Sequence, residues 1–270
     1  MLNLSGTSAA IGSGVFVTGT DTGVGKSVVA GALAGALRRR GLDAGVMKPI
    51  QTGATRTATG WDAPDVRFLL RAAGLDDPLA QDVPVAQDVP VAQDVPAELV
   101  CPVCLEAPLA PSVAAELENR TIHVPDILAA FRALAERHRW LVVEGAGGIC
   151  VPITGTYGMS DLAGDLGLPL LIVARASLGT INHTALTVHF ARAAGLPIAG
   201  IVIGDYPANP DLAERTSPAE IERLTGVPVL GLFAHDPGVD TDAGEPGGIV
   251  AQMEQSPILG NLVARLRRPG

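Results

Sequence analysis

Apolar residues recur along the chain in short unbroken runs at 15–18, 44–47, 141–143, 170–173, 198–203 and 229–232, with helix-like stretches between most of them. Runs that do not alternate with polar residues suit strands buried on both faces. The pattern therefore predicts an α/β chain with a mostly parallel sheet flanked by helices. The first helix is predicted over 26–40, with Val29, Leu33, Ala34 and Leu37 on one stripe, three arginines in its last turn and Gly41 placed to end it. A second amphipathic pattern begins at Asp65 and continues through Val66, Leu69 and Leu70. Between 80 and 96 the periodicity gives way to AQDVPV, AQDVPV, AQDVP. A proline every six residues excludes a continuous helix or central strand, so an extended surface insertion with little ordered structure is expected there.

Composition narrows the class. With 47% hydrophobic residues, the 270-residue chain can bury one large core. The expectation is a flexible tail over 1–14 and a single domain over 15–270 that carries the insertion. Acidic residues outnumber basic ones 28 to 19, and the longest basic cluster is Arg38, Arg39 and Arg40, which argues against a nucleic-acid partner. No apolar run approaches the ~20 residues that cross a bilayer, and the first residues lack the pattern of a secretion signal. A cytoplasmic protein without a membrane partner is expected. Cys101, Cys104 and Cys150 give no disulfide framework. The first two form C-x-x-C without the roughly two further ligands of a metal site, and they read as structural. Asp240, Asp242 and Glu245 lack the spacing of a calcium loop and read as solvated. His123, His138, His189 and His235 show no metal or base spacing and read as structural.

The chemistry concentrates in four segments. In GTDTGVGKS, from Gly19 to Ser27, a predicted strand meets a predicted helix through a glycine-rich turn. Such a turn aims backbone N–H groups at phosphate oxygens while the helix N-terminus adds partial positive charge, so a nucleoside triphosphate is the expected ligand. Lys26 would reach the outer phosphates and the Ser27 hydroxyl would hold Mg²⁺. The common spacing would require glycine at position 20, where this chain has Thr20. In KPIQTG, Lys48 follows the second strand at the sheet edge where ligands bind, facing the same phosphates, and Thr52 can bond a polar substrate. In VVEGAGG, Glu144 reaches a turn made of Gly145, Ala146 and Gly147, as an Mg²⁺ ligand or as a capping carboxylate. Asp65 is either a further oxygen ligand or an N-terminal helix cap, and nearby Asp62 competes for the role. The fourth segment, SLGTINHTALT, places Gly179, Thr180 and Asn182 in a polar turn before a helix that contains His183.

In this order and at these separations the four segments resemble the dethiobiotin synthetase family, over roughly 15–232 apart from the repeats. The longer phosphate loop is the one that family uses. The resemblance implies a P-loop fold and an ATP-dependent ligase: CO₂ adds to one amine of 7,8-diaminononanoate, the triphosphate phosphorylates the carbamate, and the second amine closes the cyclic urea. It implies that Gly23, Val24, Gly25, Lys26, Ser27 and Val28 hold the phosphates, that Ser27, Asp65 and Glu144 serve Mg²⁺, and that Lys26 and Lys48 stabilise the transferring phosphoryl group. Thr22 and Thr52 would contact the diamine or its carbamate. A homodimer is implied, with the partner's equivalent of Leu178 to Asn182 on the substrate carboxylate. Two positions depart from the family pattern. Gly204 and Asp205 stand where an Asn-Asp pair often contacts the base, and Gly231, Leu232, Phe233 and Ala234 replace a Gly-x-x-Pro turn. The base, adenine or another such as cytosine, is left open. The alternative class is a partitioning or regulatory P-loop ATPase. Such proteins usually carry a lysine near the loop's start, where this chain has Gly19, Thr20 and Asp21.

Overall fold

The computed structural model describes residues 14–58, 60–75 and 95–266. The six apolar runs become strands β1 (Gly14–Gly19), β2 (Ala44–Met47), β3 (Trp140–Gly148), β4 (Leu170–Arg175), β5 (Ile198–Tyr206) and β6 (Val229–Ala234). They form one sheet in the order β6-β5-β4-β1-β3-β2, and every pairing is parallel. All C-terminal ends therefore share one edge, the edge at which open α/β sheets bind ligands. β3 runs further than the apolar pattern predicts. It continues past Glu144 to Gly148 because a register shift against β1 between Val17 and Gly19 restores pairing between Gly19 and Gly148.

Ten helices are described: α1 (Lys26–Arg39), α2 (Pro64–Ala73), α3 (Ala97–Val100), α4 (Pro111–Leu117), α5 (Val124–Arg137), α6 (Met159–Asp165), α7 (Thr180–Ala193), α8 (Leu212–Thr225), α9 (Ile249–Gln255) and α10 (Pro257–Leu266). Successive β1 side chains point to opposite faces. Val15 and Val17 join α1, α2, α9 and α10 in one core, while Phe16 joins α5, α6, α7 and α8 in the other. Burial on both faces explains why the strands read as unbroken runs. Helix α1 ends one residue earlier than predicted, at Arg39. Gly41 follows in the left-handed region at φ 79°, and the Leu42 N–H reaches the Leu37 carbonyl at 3.1 Å.

Close packing of α1 on α2 sets the site's floor. A Cβ on Gly31 would stand 2.8 Å from Ala72 Cβ, and one on Gly35 2.2 Å from the Ala72 carbonyl oxygen. Glycine at these two helical positions lets α2 approach, which brings Asp65 at its first turn toward the sheet edge. Short ladders complete this end: Ile50–Thr52 pairs in parallel with Val103–Leu105, and Val239–Asp240 pairs antiparallel with Glu245–Pro246. Gly14, expected in the tail, opens β1, and residues 1–13 lie outside the described residues. Of the repeat insertion, Val95 and Pro96 lead into α3, and 80–94 lie outside the described residues. No helix among the described residues is long and apolar enough to cross a membrane.

Candidate active site

The turn from β1 into α1 closes on itself at Gly19. A Cβ there would lie 2.6 Å from the Asp21 carbonyl oxygen and 2.9 Å from Val24 Cγ2. The glycine that falls one place early in sequence is thus the one the loop's own packing requires, and Thr20 remains tied to the sheet through its N–H on the Val173 carbonyl at 3.0 Å. Gly23 and Gly25 adopt φ of 72° and 89°, a region that other side chains enter only with strain. Gly25 caps the 14-residue helix α1, whose unpaired first N–H groups face the loop. Lys26 folds back over the loop and donates from Nζ to the Asp21 carbonyl at 2.9 Å. Its burial lowers its pKa below the ordinary lysine value, and Glu144 opposes that shift.

Beneath the loop lies a buried charge cluster. Lys48 Nζ stands 2.7 Å from Asp65 Oδ2 and 2.7 Å from Glu144 Oε1, and the same Glu144 oxygen accepts the Ser27 hydroxyl at 2.9 Å. Burial alone would discharge Lys48, but the two carboxylates outweigh it and hold the ammonium above its ordinary value. Burial also acts on Asp65, which Lys48 overrides to pull the carboxyl below the usual range. For Glu144, burial with the neighbouring Asp65 charge exceeds the pull of Lys48 and raises its pKa. Removing one member of such a cluster leaves buried charge uncompensated, at a cost of about 3–5 kcal/mol. Glu144 Oε2 is buried with no partner among the described residues.

The capping alternatives raised for the two acidic residues resolve the same way. Asp65 does not cap α2: the N-cap is Ala63, with no side-chain bond, and the Asp65 carboxylate turns to Lys48. Asp62 pairs with Arg67 and stays out of the cluster. Glu144 caps no helix either, because its strand continues beyond it.

A cavity of about 740 Å³ opens over these groups, a size suited to a nucleotide together with a small substrate. Its walls include Thr22, Gly23, Gly25, Lys26, Ser27, Val28, Lys48, Thr52, Asp65, Glu144, Ala146, Gly147 and Asp205. Val24, Gly145 and Gly204 are buried behind the walls. Gly204, expected to face the base, packs against the phosphate loop instead: a Cβ there would stand 2.6 Å from the Val24 carbonyl oxygen. Gly145 is packed on Phe16, whose ring would meet a Cβ at 2.8 Å. Leu178, Gly179, Thr180 and Asn182 do not line this cavity. Leu178 is 85% exposed, and Thr180 is buried at the start of α7.

Other wall residues carried no ligand signal in sequence, apart from Phe233 and Ala234, which stood in the segment that departs from the family pattern. Gln51, Pro108, Leu109, Ala110 and Pro111 also line the cavity, with Pro108 close to Gly53. At the far end stand Phe233, Ala234, His235, Asp236, Val239 and Thr241. His235, read as structural, bonds through Nδ1 to Asp205 Oδ1 at 2.7 Å, and Asp205 itself adopts φ 50°. The acidic stretch after it, read as a solvated loop, is a pinned hairpin. Asp236 accepts the N–H groups of Gly238 and Gly248 at 2.8 and 2.7 Å, while Arg67 reaches the Asp242 carbonyl and Arg71 that of Ala243 at 3.1 Å. Only the fold brings these distant segments together, which is why spacing alone could not find them.

A family model described as an AAA domain matches residues 13–243. The chain is 44% identical over 238 residues to the ATP-dependent dethiobiotin synthetase BioD of Anaeromyxobacter dehalogenans (strain 2CP-C), covering 88% of this chain and 97% of that one. It is 42% identical over 219 residues to the protein of the same name from Bacillus subtilis (strain 168), covering 81% and 86%. The chain belongs to the dethiobiotin synthetase family. Membership in this family of ATP-dependent ligases agrees with the four sequence segments and does not favour the partitioning-type ATPase. Solved structures share the fold. MinD in the Aquifex aeolicus MinC:MinD complex is 14% identical with a TM-score of 0.56, covering 96% of this chain and 97% of that one. The Pyrococcus furiosus cell division ATPase MinD is 17% identical with a TM-score of 0.54, covering 94% and 98%. At such identities the likeness is one of fold alone, a P-loop scaffold shared by ligases and switches.

Proposed function

We propose that this chain makes dethiobiotin from 7,8-diaminononanoate, CO₂ and a nucleoside triphosphate, with Mg²⁺, as a cytoplasmic homodimer. The observation that carries the reading is Lys48, buried 2.7 Å from both Asp65 and Glu144 and joined through Glu144 to Ser27 of the phosphate loop. A buried cation beside phosphates is worth most where negative charge grows in the transition state.

Gly23, Gly25, Lys26, Ser27 and Val28 hold the phosphates, with Val24 shaping the loop from behind. Ala146 and Gly147 line the nucleotide's path, and Gly145 and Gly204 shape it from beneath. Asp205 stands at the nucleoside end. Thr22 and Thr52 bind the diamine and its carbamate. Lys26 and Lys48 neutralise the phosphoryl group as it passes to the carbamate oxygen, and the second amine then displaces phosphate to close the ring. The donor set of Ser27, Asp65 and Glu144 fits Mg²⁺: all are hard oxygens, and the unpartnered Glu144 Oε2 is the kind of buried acceptor that a cation satisfies. Bound there, Mg²⁺ would offset charge on the phosphates.

The dimer reading draws on α7, where Leu186 is 60% and Phe190 40% exposed, beyond the still more open Leu178 that precedes the helix. There Leu178, Gly179, Thr180 and Asn182 would serve the substrate carboxylate held by the partner. The deciding experiment supplies purified protein with Mg²⁺, bicarbonate and diaminononanoate and offers ATP, CTP and other triphosphates one at a time. Phosphate release that requires the diamine, with matching dethiobiotin formation, is expected. Hydrolysis indifferent to the diamine, without cyclised product, would sink the reading.

A further inference from the structure

We propose that Cys101 and Cys104 form a reversible thiol–disulfide site, oxidised by a peroxide, whose state sets the position of Lys48. The effect on turnover rests on the ligase reading above; the disulfide itself does not. The C-x-x-C spacing alone reads as structural, and what changes that reading is geometry. The two sulfurs stand 3.5 Å apart, in residues 8% and 7% exposed, and no metal-ligand cluster is found among the described residues. Cys101 follows α3, and Cys104 lies in Val103–Leu105, so the pair joins two elements through the single bend at Pro102.

Both elements touch the catalytic segment. The Lys48 N–H donates to the Val100 carbonyl at 2.8 Å, immediately before Cys101. Cys104 sits opposite Gln51 in the parallel ladder that carries KPIQTG. The pair therefore braces the backbone of KPIQTG at its first residue, Lys48, and at its fourth, Gln51.

The chemistry is asymmetric. The contact between the two sulfurs holds the Cys104 thiol below its ordinary pKa and pushes the Cys101 thiol up; burial opposes the fall at Cys104 and the Arg120 guanidinium assists it. Cys104 is thus the sulfur assigned to attack, as its thiolate. It displaces hydroxide from hydrogen peroxide to give a sulfenic acid. The Cys101 sulfur then attacks the Cys104 sulfur and the sulfenic oxygen leaves as water, so one peroxide is reduced to two waters and two thiols become one disulfide. Cys150 is exposed, and burial raises its pKa with no neighbour to offset the shift. A disulfide spans about 2.05 Å, so closure draws the sulfurs together by about 1.5 Å. Displacement of a catalytic group by about 1 Å costs about 100-fold in rate.

The test treats the full chain with stoichiometric hydrogen peroxide and follows intact mass, peptide mapping and turnover. Expected are loss of two hydrogens, a Cys101–Cys104 linkage, a fall in kcat of about tenfold or more, and recovery with dithiothreitol. Cys101→Ala and Cys104→Ala should each keep reduced-state turnover and lose the peroxide response, while Cys150→Ser should keep the response. Melting temperatures accompany both alanine variants, and either one that folds suffices. Oxidation confined to Cys150, or a mapped Cys101–Cys104 bond with unchanged turnover, would overturn the proposal. Reduced protein that makes no product counts against the ligase reading instead. The thiol site is then judged by the mapped linkage together with a shift in ATP affinity, and the absence of either overturns it.

Discussion

At the phosphate end of the cavity Lys26, Lys48 and Glu144 are 7%, 4% and 1% exposed, whereas at the far end the side chains of Asp205 and His235 stand 69% and 58% open to solvent. The first end is built from a tight main-chain loop and a buried ion cluster. The second is built from loop side chains that a hairpin holds in place. Buried, low-dielectric charges interact strongly and tolerate little change, while exposed pairs are screened and are worth about 0–1 kcal/mol. Reaction chemistry should therefore depend steeply on the phosphate end, and nucleotide choice should depend shallowly on many small contacts at the other.

The steepest expectation is at Lys48. Lys48→Ala should lower kcat about 10³-fold, as loss of a preorganised charge in a closed site does, with KM for nucleotide changed far less. Steady-state kinetics beside a thermal melt would check this. A near-normal kcat in a folded variant would break the division between the two ends.

The same contrast explains what could be read from sequence. The six strands were legible because both faces of each are buried, and the three segments that build the phosphate end, GTDTGVGKS, KPIQTG and VVEGAGG, were legible because their spacing is local. GTDTGVGKS makes one turn between β1 and α1, and VVEGAGG runs along β3 to its end. The far end is assembled from Asp205 near the end of β5, Phe233 near the end of β6 and His235 just after it, and a hairpin clasped by Arg67 and Arg71 from α2. No periodicity links residues 67 and 242, so the hairpin had no signature, while Asp205, Phe233 and Ala234 were visible only as departures from the family pattern. Gly204 was misplaced for a related reason: its neighbour Asp205 lines the cavity, but Gly204 itself points under the loop, where only the three-dimensional approach of Val24 explains the missing side chain.

Gly204 sharpens the comparison because it lies between the two ends. Gly204→Ala would put a Cβ 2.6 Å from the Val24 carbonyl oxygen, within the loop that carries the phosphates. Overpacking of this kind costs about 1–3 kcal/mol, so KM should rise about tenfold. The rise should be the same for every nucleoside triphosphate, since the phosphates are common to all. A change confined to one base, measured across ATP, CTP, GTP and UTP, would return Gly204 to the base-reading role.

A smaller effect is expected where α2 ties the hairpin down. Arg71 Nη1 lies 3.1 Å from the Ala243 carbonyl and 3.5 Å from Glu245 Oε1. Arg71→Ala should loosen a wall whose Val239 and Thr241 line the cavity. The loss of about 1 kcal/mol per hydrogen bond corresponds to roughly a fivefold rise in nucleotide KM. The kcat should hold, since Asp65 sits on the same helix but takes its position from Lys48. A parallel fall in kcat and in Mg²⁺ affinity would mean that α2 transmits hairpin motion to the carboxylates.

The shallowest expectation is at His235. Its Nδ1 bonds to Asp205 at 2.7 Å in an exposed pair, and the residue lines the cavity. Because water competes for both partners, His235→Ala should change KM by about twofold for any one triphosphate, within the 0.2–1 kcal/mol of exposed pairs. The ratio of kcat/KM between ATP and CTP should move by no more than that. A shift of tenfold or more in this ratio would show that a single open side chain selects the base. The far end would then share the sharp dependence otherwise confined to Lys48 and its carboxylates.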